Sequence, residues 1–197
     1  MAKEKVIVGL TGNLGSGKST LAEFLKEFGA DVINADSIGH EVLRRVRDQI
    51  VERFGDDILD EKGQINRKAL AYKAFKDRES VEALNSIVKP HIINLIDDLV
   101  KKSKAKVVVV DGALIFEYHM EDYFDYIVYV YTPEGMSIER FMKRTGYPRD
   151  MAERILSFQI PASSKKERSD FIIENTGTIE DLKEKAKELW EKLRNDP

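Results

Sequence analysis

One octapeptide limits this chain more than any other feature. Gly12-Asn13-Leu14-Gly15-Ser16-Gly17-Lys18-Ser19 fits the pattern G-x-x-x-x-G-K-[ST]. It follows an apolar run, 6–11, and opens a segment, 19–28, that brings Leu21, Phe24, Leu25 and Phe28 onto one helical face. A strand that ends in a glycine-rich turn and runs straight into a helix is half of a parallel βαβ unit, so the octapeptide commits the chain to an α/β fold. Its glycines let backbone N–H groups turn inward around a polyphosphate. The helix N-terminus adds about half a positive charge. Lys18 can then reach the β- and γ-phosphates of a nucleoside triphosphate, and the Ser19 hydroxyl can ligate Mg²⁺. The alternative is a glycine-rich strand–helix turn that holds no ligand.

The rest of the sequence fits that commitment. Strands are expected at 6–11, 31–34, 106–111, 126–131 and 171–174, most of them continuously apolar, as in a parallel sheet covered on both faces. Helical spacing is expected over 37–54, with Val42, Leu43, Val46 and Ile50 inward, and over 81–88 and 92–100, interrupted near Pro90. Thr178-x-x-Asp181 opens a last helix with a capping-box pattern and the apolar stripe Ile179, Leu182, Ala186, Leu189, Leu193. The expected architecture is a three-layer sandwich of the P-loop NTPase type around a five-stranded parallel sheet. One domain fills 1–197: a core of 1–36, 105–136 and 169–197, a helical insertion at 37–104 and a small helical lid at 137–168.

The chain has 197 residues, no cysteine and a formal net charge of −3. Without cysteine there are no disulfides, no thiolate nucleophile and no zinc–sulfur centre. No apolar run approaches the ~20 residues of a membrane helix, and the first residues lead into a strand rather than a signal segment. A cytoplasmic protein without membrane attachment is expected. Segment 137–168 carries Arg140, Lys143, Arg144, Arg149, Arg154, Lys165, Lys166 and Arg168, a cationic surplus on an acidic protein. That points to an anionic small ligand, since nucleic acid calls for a broader basic face. The other reading is a solvated, charged helix pair.

Phosphoryl transfer to a bound acceptor suits the remaining signals. Val107–Val110 ends in Asp111, a candidate Mg²⁺ carboxylate that no Glu follows, and the chain lacks Asn-Lys-x-Asp. Asp36 follows the second strand, at the end of the sheet where open α/β folds bind ligands. There it either orients or deprotonates an acceptor hydroxyl, or caps a helix beginning at Ser37. His40 lies one turn on, a packing residue or a substrate contact.

Several blocks of the sequence resemble the dephospho-CoA kinase family. They are 8–19 around the octapeptide; Val32-Ile33-Asn34-Ala35-Asp36-Ser37-Ile38-Gly39-His40; Leu84-Asn85-Ser86-Ile87-Val88-Lys89-Pro90; 110–117 from Asp111 to Glu117; Arg154-Ile155-Leu156-Ser157-Phe158-Gln159; and 169–177. They follow the family's order over nearly the whole chain. Three positions depart from it: Asn34 stands for the first Asp of an acidic pair, Lys89 for a usual His, and Gly112-Ala113 for a Pro-containing pair.

The resemblance implies transfer of the ATP γ-phosphoryl group to the ribose 3′-hydroxyl of dephospho-CoA, giving coenzyme A and ADP, the last step of CoA synthesis. ATP would be held by Gly12, Asn13, Leu14, Gly15, Ser16, Gly17, Lys18, Ser19 and Thr20, by the lid cations Arg140 and Arg144, and by Asn175 and Gly177 at the adenine. Lys18, Asp36 and Arg144 would be catalytic, Asp36 and His40 would contact the acceptor, and Ser19 with Asp111 would hold Mg²⁺. The insertion would bind dephospho-CoA. No nucleic-acid partner is implied. The rivals are another small-molecule kinase of the same fold and a non-catalytic nucleotide switch.

Overall fold

The computed structural model describes residues 5–195. Strands β1 (Val6–Gly12), β2 (Asp31–Asn34), β3 (Val107–Asp111), β4 (Tyr126–Tyr131) and β5 (Phe171–Glu174) form one sheet in the order β2-β3-β1-β4-β5. Every pairing is parallel. The central strands read as unbroken apolar runs because both faces are covered: all five residues of β3 are buried. The register brings the carboxyl ends of three strands together, with Asp111 opposite both Leu10 and Asn34.

The chain divides into two compact units, at Asn34/Ala35 and at Asp98/Leu99. The unit with the sheet also contains α1 (Lys18–Phe28) and, further on, α6 (Glu134–Thr145), α7 (Arg149–Ser157), α8 (Ala162–Glu167) and α9 (Ile179–Arg194). One face of the sheet packs Val8, Leu10, Val107, Val109, Val128 and Val130 against Leu21 and Leu25 of α1 and Leu182, Ala186, Leu189 and Leu193 of α9. Helix α9 starts with the expected capping box between Thr178 and Asp181. Ile179, expected in the buried stripe, is 65% exposed.

The helical unit contains α2 (Ala35–Arg45), α3 (Arg47–Phe54), a 3₁₀ turn Asp56–Ile58, α4 (Arg67–Ala74) and most of α5 (Arg78–Lys102). Two expectations are corrected here. The helix expected over 37–54 starts at Ala35 and is interrupted at Val46, whose ψ of 20° leaves the helical range, while Val42, Val46 and Ile50 stay buried. Conversely, Pro90 does not divide α5, which runs unbroken through it. Pro90 and Ser86, whose carbonyl loses its donor, both face solvent, so water can replace the missing bond. Val88, Ile92 and Ile96, buried at every fourth position, keep the helix seated.

Candidate active site

Three glycines shape the turn between β1 and α1. Gly15 and Gly17 adopt φ of 68° and 88°, conformations that side chains rarely adopt. Space forbids a side chain as well: a Cβ on Gly15 would lie 2.0 Å from the Ser137 carbonyl oxygen, and one on Gly17 would lie 2.2 Å from Asn175 Nδ2. Gly12 is closed off by Ser16 Oγ and the Val130 carbonyl. The backbone therefore approaches β4, α6 and the loop after β5 more closely than any substituted residue allows.

Those neighbours grip the loop from outside. The Ser16 carbonyl accepts from Asn175 Nδ2 at 2.8 Å and from Thr132 Oγ1 at 3.0 Å. Asn13 Oδ1 accepts from the Tyr129 hydroxyl at 3.0 Å. Burial, followed by the charges of Tyr131 and Glu117, pushes that phenol up to about 12, so it stays a donor at neutral pH. Leu14 N–H donates to Gln159 Oε1 at 3.1 Å, and the Leu14 side chain packs with Ile138, Phe141 and Ala152. Ser16 Oγ is buried with no hydrogen-bond partner among the described residues. An orphaned hydroxyl in a glycine cradle is chemistry suited to a polyphosphate.

Lys18 opens α1 behind Gly17 and is itself buried. Its Nζ lies 3.1 Å from Asp111 Oδ1, and Asp111 is 1% exposed. Asn34 Nδ2 donates to the other carboxylate oxygen over a long 3.4 Å. The register of β2 and β3 sets Asn34 opposite Asp111, and α1 brings Lys18 to the same carboxylate; Asn34 puts a donor where a second carboxylate would face Asp111.

Arg140 Nη1 donates to the Asn175 carbonyl at 3.1 Å and reaches Thr132 Oγ1 at 3.4 Å. Arg140, Asn175, Gly177, Gly17 and Thr20 line a cavity of about 200 Å³ at the start of α1. The Asn175 amide is turned onto the loop, leaving its neighbours to form the cavity's outer wall. A larger hollow of about 360 Å³, between β5 and α9, touches no residue of the loop.

In the helical unit Asp36 lies in the first turn of α2, not at its cap, because the helix begins one residue earlier than Asp36. The capping alternative is thereby corrected. Asp36 is exposed, and His40 follows at helical i, i+4 spacing. Burial and the Arg67 guanidinium pull the His40 imidazole below its usual range, with Arg44 adding to them and Asp36 opposing.

The cationic surplus of 137–168 is largely committed. Lys165 is fully buried against Glu117, at 2.9 Å. Lys166 Nζ sits 3.4 Å over the Tyr131 ring, and Arg168 pairs with Glu121 and stacks on Phe116. Arg149 pairs with Glu153 one turn along α7. Arg144 is exposed on α6, beside the Phe141 ring, and does not line the cavity. Sequence reasoning missed Tyr129, Thr132 and Gln159 as supports of the loop. Only Gln159 left a signal, as the end of the block 154–159.

A family model described as dephospho-CoA kinase matches residues 6–181. The dephospho-CoA kinase of Fusobacterium nucleatum subsp. nucleatum is 34% identical over 190 residues, spanning 95% of this chain and 98% of its own. Among solved structures, a Thermus thermophilus protein superposes with a TM-score of 0.80 at 30% identity, over 97% of this chain and 99% of its own. The dephospho-CoA kinase from Campylobacter jejuni superposes with a TM-score of 0.61 at 25% identity, over 97% and 98%.

Proposed function

The chain belongs to the dephospho-CoA kinase family, and from that premise we propose how its residues carry out the ATP-dependent phosphorylation of dephospho-CoA, the last step of coenzyme A synthesis. The observation that carries the reading is the Lys18–Asp111 pair, set at the carboxyl edge of the central strands below a glycine cradle with an orphaned hydroxyl.

The loop 12–19 would hold the β- and γ-phosphates on its backbone N–H groups, with Ser16 Oγ as a further donor. Lys18 would exchange Asp111 for a phosphate oxygen and neutralise charge that grows on the leaving group. The base would enter the cavity bounded by Arg140, Gly177 and Thr20, with Asn175 fixing its floor. Asp36 would accept the proton of the ribose 3′-hydroxyl as its oxygen bonds to the γ-phosphorus and the bond to ADP breaks. His40 would contact the acceptor from the same face of α2. Arg144 would supply mobile positive charge to the transferring group.

Mg²⁺ takes few protein ligands, hard oxygens, and completes its shell with phosphate oxygens and water. The Ser19 hydroxyl and the Asp111 carboxylate are donors of that kind, so the residues present fit the ion. It would supply neutralisation of phosphate charge.

The helical segment 37–104 would hold dephospho-CoA, and 137–168 would act as the lid over a core of 1–36, 105–136 and 169–197. The division at Asn34/Ala35 and Asp98/Leu99 supports the first assignment. The described helices include none long and apolar enough to cross a membrane. A cysteine-free chain acting on two small molecules suits the cytoplasm. The deciding experiment incubates the protein with ATP, Mg²⁺ and dephospho-CoA and follows coenzyme A by mass and ADP by coupled assay. Stoichiometric appearance of both is expected. Turnover on shikimate or nucleosides but not on dephospho-CoA would reject the reading.

A further inference from the structure

We propose that Gln159 is a positioning residue of the phosphate loop and that the buried Glu117–Lys165 pair holds it in place through Ile160. Two adjacent residues are tied in different directions. The Gln159 side chain accepts from Leu14 N–H at 3.1 Å, while Ile160 N–H donates to Glu117 Oε1 at 3.0 Å. The same carboxylate oxygen meets Lys165 Nζ at 2.9 Å, and the lysine side chain is 0% exposed. Lys165 is itself locked into α8, its N–H donating to the Pro161 carbonyl and its carbonyl accepting from Ser169 Oγ.

Stability alone does not account for this arrangement. A buried ion pair gains little over apolar residues of similar volume, because desolvation of both charges offsets their attraction. Burial pulls the Lys165 ammonium down from its ordinary pKa, and Glu117 opposes that shift. What the pair does supply is a carboxylate that cannot turn away, aimed at one backbone N–H. That contact fixes where the chain re-enters from α7, and hence where the Gln159 amide stands.

The consequence falls on the loop. Leu14 N–H belongs to the turn that precedes Gly15, and its peptide plane sets the direction of the N–H groups that follow. With Gln159 in place and the Leu14 side chain seated among Ile138, Phe141 and Ala152, that plane is fixed before any nucleotide arrives. The cost of ordering the loop is then met in the fold, not at the moment of binding. The inference rests on reading 12–19 as the ATP cradle.

The test compares full-length wild type with Gln159→Ala, Glu117→Ala/Lys165→Met and Glu117→Gln/Lys165→Met. The last pair restores an oxygen opposite Ile160 N–H without either charge. Initial rates are measured against each substrate, alongside melting temperatures. Gln159→Ala should raise KM for ATP roughly three- to tenfold, the effect of one neutral hydrogen bond, with KM for dephospho-CoA unmoved. Glu117→Ala/Lys165→Met should do the same, and Glu117→Gln/Lys165→Met should recover most of the loss. Lower melting temperatures with KM for ATP unchanged would overturn the proposal, as would equal rises in both KM values or no recovery with glutamine. Lys18→Ala serves as the control: if it too leaves ATP binding and turnover intact, the cradle reading fails, not the tether.

Discussion

Lys18 Nζ stands 3.1 Å from Asp111 Oδ1, and Asp111 is 1% exposed, so the lysine proposed to engage ATP also neutralises a buried anion of the fold. The same ammonium has a structural task and, in the proposed mechanism, a catalytic one.

Lys18→Ala should therefore lose both. Removing one partner of a buried pair costs about 3–5 kcal/mol, since the remaining charge is left uncompensated. Loss of a charge-assisted contact to the transferring phosphates should lower turnover by about 100-fold or more. Thermal melting and initial rates on dephospho-CoA check the two effects separately. Near-wild-type turnover in the folded variant would remove the loop from the mechanism.

Asn34→Asp should place a carboxylate where an amide now donates to Asp111 Oδ2. Like charges at that spacing raise a carboxyl pKa, so the folded state binds a proton more tightly than the unfolded one. Stability relative to wild type is then lost as pH rises through the carboxylate range and regained on acidification. The variant should melt below wild type at about pH 8 and converge with it near about pH 4. Turnover should also fall, because the added charge opposes the phosphates. A pH-independent difference in melting would show that the two side chains do not face each other in solution.

Asp36→Asn separates proton transfer from helix stabilisation. Asp36 lies in the first turn of α2, so the lost helix-dipole interaction is worth about 0.3–1 kcal/mol. General-base assistance typically contributes 10²–10⁴-fold, and turnover should drop by roughly that factor. ATP affinity, measured by titration calorimetry, should hardly change. A variant that loses stability yet keeps its rate would reduce Asp36 to a helix-terminal charge.

His40 should leave a signature in stability against pH. Its folded pKa is lowered from 6.5, by burial first and then by Arg67. The unfolded chain binds the proton more tightly, so stability is fully present above pH 6.5 and declines as pH falls through the folded value. His40→Gln should flatten that part of the profile, read from denaturant midpoints across the window. An unaltered slope would place the imidazole in water.

Much of this molecule is legible locally. The turn after β1, the helix behind it and the capping box of α9 each depend on residues within a few positions of one another. Strand β3 is recognisable because four successive valines have no other use. The candidate Mg²⁺ and acceptor carboxylates, Asp111 and Asp36, are legible as candidates because each stands at or just after the carboxyl end of an expected strand.

Sequence determined the strands, the glycine-rich turn and most of the helices, and it marked candidates for the chemistry; tertiary structure decided where helices break or continue and which residues meet. Five apolar parallel strands have no pattern that orders them, so β2-β3-β1-β4-β5 arises from how the crossovers pack. That order is what sets Asn34 beside Asp111 and lets Asn175 hold Ser16. The positive charge of 137–168 reads as one ligand-seeking patch in the sequence, yet Lys165, Lys166 and Arg168 are spent on Glu117, Tyr131 and Glu121. Pro90 reads as a break, yet solvent at its exposed face lets α5 continue. Burial, partner choice and access to water are properties of three-dimensional neighbours, and neighbours far apart in the chain are invisible until the chain has packed.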